Sequence, residues 1–135
     1  MFMKVMLDTT VLIDILKGDK KATDTVDGVK ADASLYTTTV NIYEMTRGIY
    51  LLPQKSRELH LKAVKALTCN LRVLDLDLES SEKAASIYAE LRARGIEIDE
   101  PDYLIAGICL ANGVDTLITR NEKHFGSIKG LKVIT

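Results

Sequence analysis

Apolar residues in this chain follow two alternating patterns. Short strand-like runs end at polar positions. Met3 to Leu7 stops at Asp8, Ser34 to Thr39 is rich in Thr, and Leu71 to Leu76 alternates apolar with polar. Thr116 to Thr119 is brief, and Leu131 to Ile134 lies at the end. These five segments read as β-strands. Between them apolar positions recur at helical spacing over Val11 to Lys17, Thr23 to Lys30, Val40 to Leu52, Ser56 to Leu67, Glu79 to Arg94 and Asp102 to Asn112. Gly95 and Gly113 follow the last two helices, where a left-handed residue commonly ends a helix. Strands separated by helices predict right-handed crossovers and an α/β fold, with a mostly parallel five-stranded sheet covered on both faces. No repeat, low-complexity tract or shift in composition divides residues 1–135, so a single domain is expected.

Composition narrows the classes. At 135 residues, 47% apolar and 27% charged, the chain is neither a disordered tail, a collagen-like fibre nor a disulfide-stapled mini-protein. Its apolar runs fall far short of the roughly 20 residues that span a bilayer. The N-terminal run also meets Asp8 before a leader's apolar core could form. A cytoplasmic protein with no membrane partner is expected. Eighteen Lys and Arg against nineteen Asp and Glu leave a net charge of −1, so binding of nucleic acid would require local basic patches. Cys69 and Cys109 read as reduced, partly buried thiols, and two histidines, His60 and His124, are too few for the usual zinc site.

In parallel α/β folds ligands sit beyond the carboxyl ends of the strands, where strand order reverses. The residues expected at that edge are acids and amides. Asp8 follows the first strand and precedes Thr9 and Thr10, either as a helix cap or as part of a site. Glu44 lies on the helix after the second strand, among Ile42, Tyr43 and Met45; a surface position or an ion pair with Arg47 is the ordinary alternative. Asp99-Glu100-Pro101-Asp102 opens the last long helix, where the helix dipole favours acids in any protein. Thr119-Arg120-Asn121-Glu122 follows the fourth strand. Clustered carboxylates repel one another unless a cation is present, and oxygen-only donors favour Mg²⁺ or Mn²⁺. Such a site could orient a phosphodiester and activate water.

Read together, these segments resemble the PIN-domain ribonucleases. Asp8-Thr9-Thr10-Val11-Leu12-Ile13-Asp14 is similar to that family's opening motif, Glu44 with Arg47-Gly48 to its second, Asp102 to Gly107 to its third, and Leu117 to Phe125 to its fourth. The size and the Thr-Arg-Asn-x-x-His-Phe ending most resemble VapC toxins of type II toxin–antitoxin systems. The resemblance implies a three-layer α/β/α fold and RNA cleavage that depends on Mg²⁺ or Mn²⁺. It implies Asp8, Glu44 and Asp102 as catalytic acids and metal ligands, with Thr10, Asp99, Thr119 and Asn121 in support. Asn121 stands where many members carry Asp and supplies no charge; Asp99, one turn before Asp102, could compensate. Asn41 falls where the family often has Ser or Thr. A homodimer and a VapB-type antitoxin are further implications of the VapC likeness.

RNA approaching an acidic pocket needs cations at its rim, and Arg47, Arg120 and Lys123 stand nearest the proposed ligands in sequence. Lys17, Lys20 and Lys21 read as a solvated face. His124 reads as a packed turn residue beside Phe125, or else as a phosphate contact. Tyr43 and Tyr50, seven apart on one helix, are expected in the core or at a subunit interface. Other strand-end folds fit less well. A haloacid dehalogenase would carry Asp where Thr10 stands, a receiver domain needs an acidic pair, and a dinucleotide binder needs a glycine-rich turn. Within the PIN reading, a housekeeping RNA-processing nuclease or a catalytically inactive binding module are the alternatives, the second favoured by Asn121.

Overall fold

The computed structural model describes residues 3–135; Met1 and Phe2, which begin the N-terminal run discussed above, lie outside them. The elements run β1 (Met3–Leu7), α1 (Thr9–Leu16), α2 (Lys20–Lys30), β2 (Ala33–Thr38), α3 (Thr39–Tyr50), α4 (Gln54–Thr68), β3 (Arg72–Leu74), α5 (Leu78–Ala93), α6 (Glu100–Ala111), β4 (Thr116–Ile118), α7 (Glu122–Phe125) and β5 (Lys132–Ile134). The strands pair in parallel in the order β3-β2-β1-β4-β5. The chain winds outward from β1 to β3, then returns to place β4 on the other side of β1. The carboxyl ends of β1 and β4 therefore flank the point where strand order reverses, the usual ligand crevice of such sheets.

β1 is wholly apolar and buried over Val5–Leu7, where helices cover both its faces, while Met3 and Lys4 at its start are exposed. Val5 and Leu7 point to one side, where they pack with Val11, Leu12, Met45 and Ile49 of α1 and α3. Met6 points to the other, joining Leu117, Leu91, Ile105, Cys109 and Phe125 beneath α5, α6 and α7. The contact between α5 and α6 is close enough to require glycine. A Cβ on Gly107 would come within 2.6 Å of the Ser80 carbonyl oxygen and 2.7 Å of Ala84. Gly95 and Gly113 end α5 and α6 at φ of +72° and +70°, as their positions suggest.

Several local expectations are corrected. Thr39 belongs to α3 rather than to β2, because Thr38 caps the helix through a reciprocal capping box with Asn41. The four-residue helix α7 is too short to leave a periodic signature in the sequence. Cys69 is exposed and Cys109 wholly buried, where both were expected to be partly buried; neither forms a disulfide. Burial pushes the Cys109 thiol up to about 12, which leaves it unreactive at neutral pH. Tyr43 and Tyr50 are not core residues, being 60% and 55% exposed. The buried face of α3 instead carries Asn41, Met45 and Ile49 at four-residue spacing. Among the described residues, no helix is long and apolar enough to cross a membrane.

Candidate active site

Asp8 stands at the carboxyl end of β1 in the N-cap position of α1, yet its side chain makes no capping hydrogen bond. Its carboxylate turns into the crevice, where three side chains donate to it. Asn41 Nδ2 reaches Oδ1 at 3.2 Å; Thr119 Oγ1 and Thr10 Oγ1 reach Oδ2 at 2.7 and 3.3 Å. The carboxylate is 2% exposed and serves as the hub of its surroundings. A helix cap was the ordinary reading of this residue, and the hydrogen bonds replace it.

Glu44 projects from α3 toward the same point, one residue before the buried Met45. Its Oε1 accepts a 2.8 Å hydrogen bond from Thr9 Oγ1. Partial burial raises its carboxyl above the usual range; the Thr9 bond pulls the other way, and the neighbouring Asp8 charge pushes it further up. Asp99 and Asp102 arrive from the start of α6, where Pro101 occupies the first turn and Asp99, although N-cap, makes no side-chain capping bond. Asp102 is 5% exposed, and burial raises its carboxyl to about 6. The His124 hydrogen bond lowers it, while the charges of Asp8 and Glu44 raise it further.

Asp8, Thr9, Thr10, Glu44, Asp99, Asp102 and Asn121 thus line one open cleft of about 450 Å³. Arg47, whose guanidinium carbon lies 5.3 Å from the centre of the Tyr43 ring, is the only cation in that lining. Thr119 lies just beneath, wholly buried, and accepts the Asn121 backbone N–H at 3.0 Å.

His124 was not expected in this constellation. Helix α7 carries its Nδ1 to 2.5 Å from Asp102 Oδ2, so it is a partner of a site acid rather than a packed turn residue. Donor atoms of Asp99, Asp102 and His124 all lie within 4.8 Å of one another. The donors are therefore not oxygen-only, as the sequence suggested, although the imidazole nitrogen nearest the acids is already engaged by Asp102. Five carboxylates line this partly buried cleft, Glu100 being the fifth, and two of them, Glu44 and Asp102, have raised proton affinity; such a set suits a hard divalent cation. Asn41 and Thr9 are the other residues that sequence reasoning left without a role.

Two of the three expected rim cations lie elsewhere. Lys123 is exposed on α7 outside the cleft lining. Arg120 places its Nε against the Asp14 carboxylate of α1 and donates from a terminal nitrogen to Asp19 Oδ2 at 2.9 Å. Its backbone N–H donates to Thr10 Oγ1 at 3.1 Å, which ties the β4 exit to α1. The side chain is thus a clamp between α1, the α2 cap and the β4 loop. Arg120→Ala is expected to cost about 1 kcal/mol, the scale of a partly exposed ion-pair network. Thermal unfolding at low and high salt would check this; an unchanged midpoint at low salt would show that the clamp contributes nothing.

Residues 5–131 match the PIN domain family. The chain belongs to that family. This PIN domain is 33% identical to the plasmid stability protein StbB of Pseudomonas syringae pv. tomato, with 96% of each chain covered. It is also 33% identical to the ribonuclease VapC1 of Methanocaldococcus jannaschii, over 96% of this chain and 86% of that one. Among solved structures, it superposes with a TM-score of 0.87 on VapBC2 from Rickettsia felis bound to a promoter DNA fragment, at 20% identity and 98% coverage of both chains. The last comparison speaks for the PIN fold alone, and the α/β architecture with five parallel strands agrees with it.

Proposed function

We propose that this PIN domain, read as a single unit over residues 1–135, is a metal-dependent endoribonuclease and the toxin of a type II toxin–antitoxin pair. The observation that carries the reading is the convergence of Asp8, Glu44, Asp99 and Asp102 in one cleft at the strand-order reversal, two of them with raised proton affinity. Isolated from any ligand, such a cluster is a standing electrostatic cost. A divalent cation would remove that cost. The 33% identity to a protein named a ribonuclease supports the substrate class.

Asp8 and Asp102 would hold Mg²⁺ or Mn²⁺, with Glu44 as a further ligand or as the base that orients the attacking water. Such a cation, when bound, supplies Lewis-acid polarisation of the phosphodiester and of that water. Thr10 and Thr119 hold Asp8 in its orientation, and Asn121 faces the cleft as a neutral donor and acceptor for water or phosphate oxygens. Arg47 stands at the rim to meet the RNA backbone. Attack in line breaks the bond from phosphorus to the 3′ oxygen, leaving a 5′-phosphate and a 3′-hydroxyl. Single-stranded or looped RNA is the expected substrate, because side chains cannot read the deep major groove of A-form helices.

Solved VapBC toxin–antitoxin structures that share this fold support a VapB-type antitoxin as partner. A homodimeric toxin acting in the cytoplasm is part of the same reading and rests on the VapC likeness of the sequence. The test is cleavage of a labelled single-stranded RNA by the purified, antitoxin-free chain. Cutting is expected with Mg²⁺ or Mn²⁺ and none with EDTA. Folded protein that cuts none of several RNAs and binds no Mn²⁺ by calorimetry would instead favour the binding module that Asn121 suggests.

A further inference from the structure

Beneath the cleft floor, the wholly buried Asn41 occupies a position whose donor directions are fixed. Its Oδ1 accepts the Thr38 backbone N–H at 3.1 Å and the Thr38 hydroxyl at 2.7 Å. A backbone N–H only donates, so this side of the amide must be the oxygen. The amide nitrogen therefore faces the other way. It donates to Asp8 Oδ1 at 3.2 Å and to Thr9 Oγ1 at 2.9 Å, one proton to each. The Thr9 hydroxyl, having accepted that bond, passes its own proton toward Glu44 Oε1 at 2.8 Å. Polarity runs in one direction, from the Thr38 backbone through a single amide to two carboxylates.

We propose that Asn41 and Thr9 form a positioning relay that sets Asp8 and Glu44 relative to one another for cation binding and catalysis. The inference rests on the metal-dependent nuclease reading. Asp8 ends β1 and Glu44 belongs to α3, and the two anions repel across the cleft. Without a shared donor, each would follow its own backbone element. The Asn41 NH₂ and the Thr9 hydroxyl place positive hydrogen ends between them and leave their remaining lone pairs for the cleft. Asn41 is held to this task by the capping box that starts α3, so the geometry of the helix start is transmitted to both acids. Asn41 is buried beneath the cleft and Thr9 lies in its lining with its hydroxyl turned to Glu44, so both act through the carboxylates.

The experiment compares wild type, Thr9→Val and Thr9→Ser as full-length chains. Thr9→Val keeps the shape and removes the hydroxyl, while Thr9→Ser keeps the hydroxyl. RNA cleavage would be measured for kcat and KM, Mn²⁺ binding by calorimetry without RNA, and folding by thermal midpoint. Loss of such an outer-shell partner typically costs about 10- to 100-fold in metal affinity or activity. Thr9→Val should therefore lose about 10-fold or more in kcat and in Mn²⁺ affinity, with KM nearly unchanged. Thr9→Ser should restore both. Wild-type kcat and Mn²⁺ affinity in Thr9→Val, or a Thr9→Ser as impaired as Thr9→Val, would overturn the relay. If the wild type binds Mn²⁺ without cutting RNA and Thr9→Val still weakens that binding, the ribonuclease reading fails and the relay stands. A wild type that binds no Mn²⁺ overturns both.

Discussion

Asp8→Asn is expected to fold like the wild type and to cleave RNA more than about 100-fold more slowly, because it removes a charged ligand from the centre of the cleft. The fold should survive, since every partner of Asp8 can adapt. The new amide oxygen still accepts from Asn41 Nδ2, which now approaches Oδ1 at 3.2 Å. Its nitrogen replaces Oδ2 and can donate to Thr119 or Thr10, whose hydroxyls accept as readily as they donate. The lost quantity is the negative charge, and with it much of the affinity for a divalent cation. Kinetics with labelled RNA, Mn²⁺ calorimetry and a thermal midpoint on the same preparation would check all three statements. Cleavage at the wild-type rate would end the assignment of Asp8.

Asp102→Asn should be equally inactive and, without metal, more stable than the wild type at neutral pH. The folded carboxyl titrates near 6, raised chiefly by burial, against an ordinary value of 3.8. A raised folded value means that the native state holds the proton more tightly than the unfolded chain. Stability from this group is therefore whole below about pH 4, falls as pH rises from about 4 to 6, and stays reduced above that. The reduction is on the order of 2 to 3 kcal/mol. The amide keeps an acceptor for His124 Nδ1, now 2.5 Å from Oδ2, but carries no charge to desolvate. Asp102→Asn should raise the midpoint at pH 7.5 by roughly 5 to 10 °C and lose most of that advantage at pH 4. Mn²⁺ should raise the wild-type midpoint and narrow the gap. A variant less stable than the wild type at pH 7.5 in EDTA would show that Asp102 is held by favourable pairing rather than against a cost.

Much of this architecture is legible because it depends on local pattern. Strand runs such as Met3 to Leu7, glycines at 95 and 113, and Pro101 at a helix start each act within a few residues. Errors fall where a longer-range contact overrides the pattern. The tyrosines of α3 mislead because the seven-residue spacing of Tyr43 and Tyr50 resembles a core stripe. The true buried stripe begins with a polar residue, Asn41, which pattern reading assigns to the surface. Arg120 stands beside site residues in sequence, but the approach of α1 and α2 gives its guanidinium two carboxylates nearby. His124 lies 22 positions from Asp102, and no sequence spacing predicts that a one-turn helix would bring them together.

The amino-acid sequence by itself determined the α/β class, the order of the five strands and the six longer helices, and the acids that would stand at the carboxyl edge. Hydrophobic period and helix-end chemistry are local and can be read one segment at a time. Only the tertiary structure decided what those acids do with their lone pairs. Asp8 is a hub rather than a cap because its donors come from Asn41 and Thr119, 33 and 111 positions away. A hydrogen bond is set by distance and direction in space, and chain separations of that size are fixed only once the sheet has brought β1, β4 and α3 together.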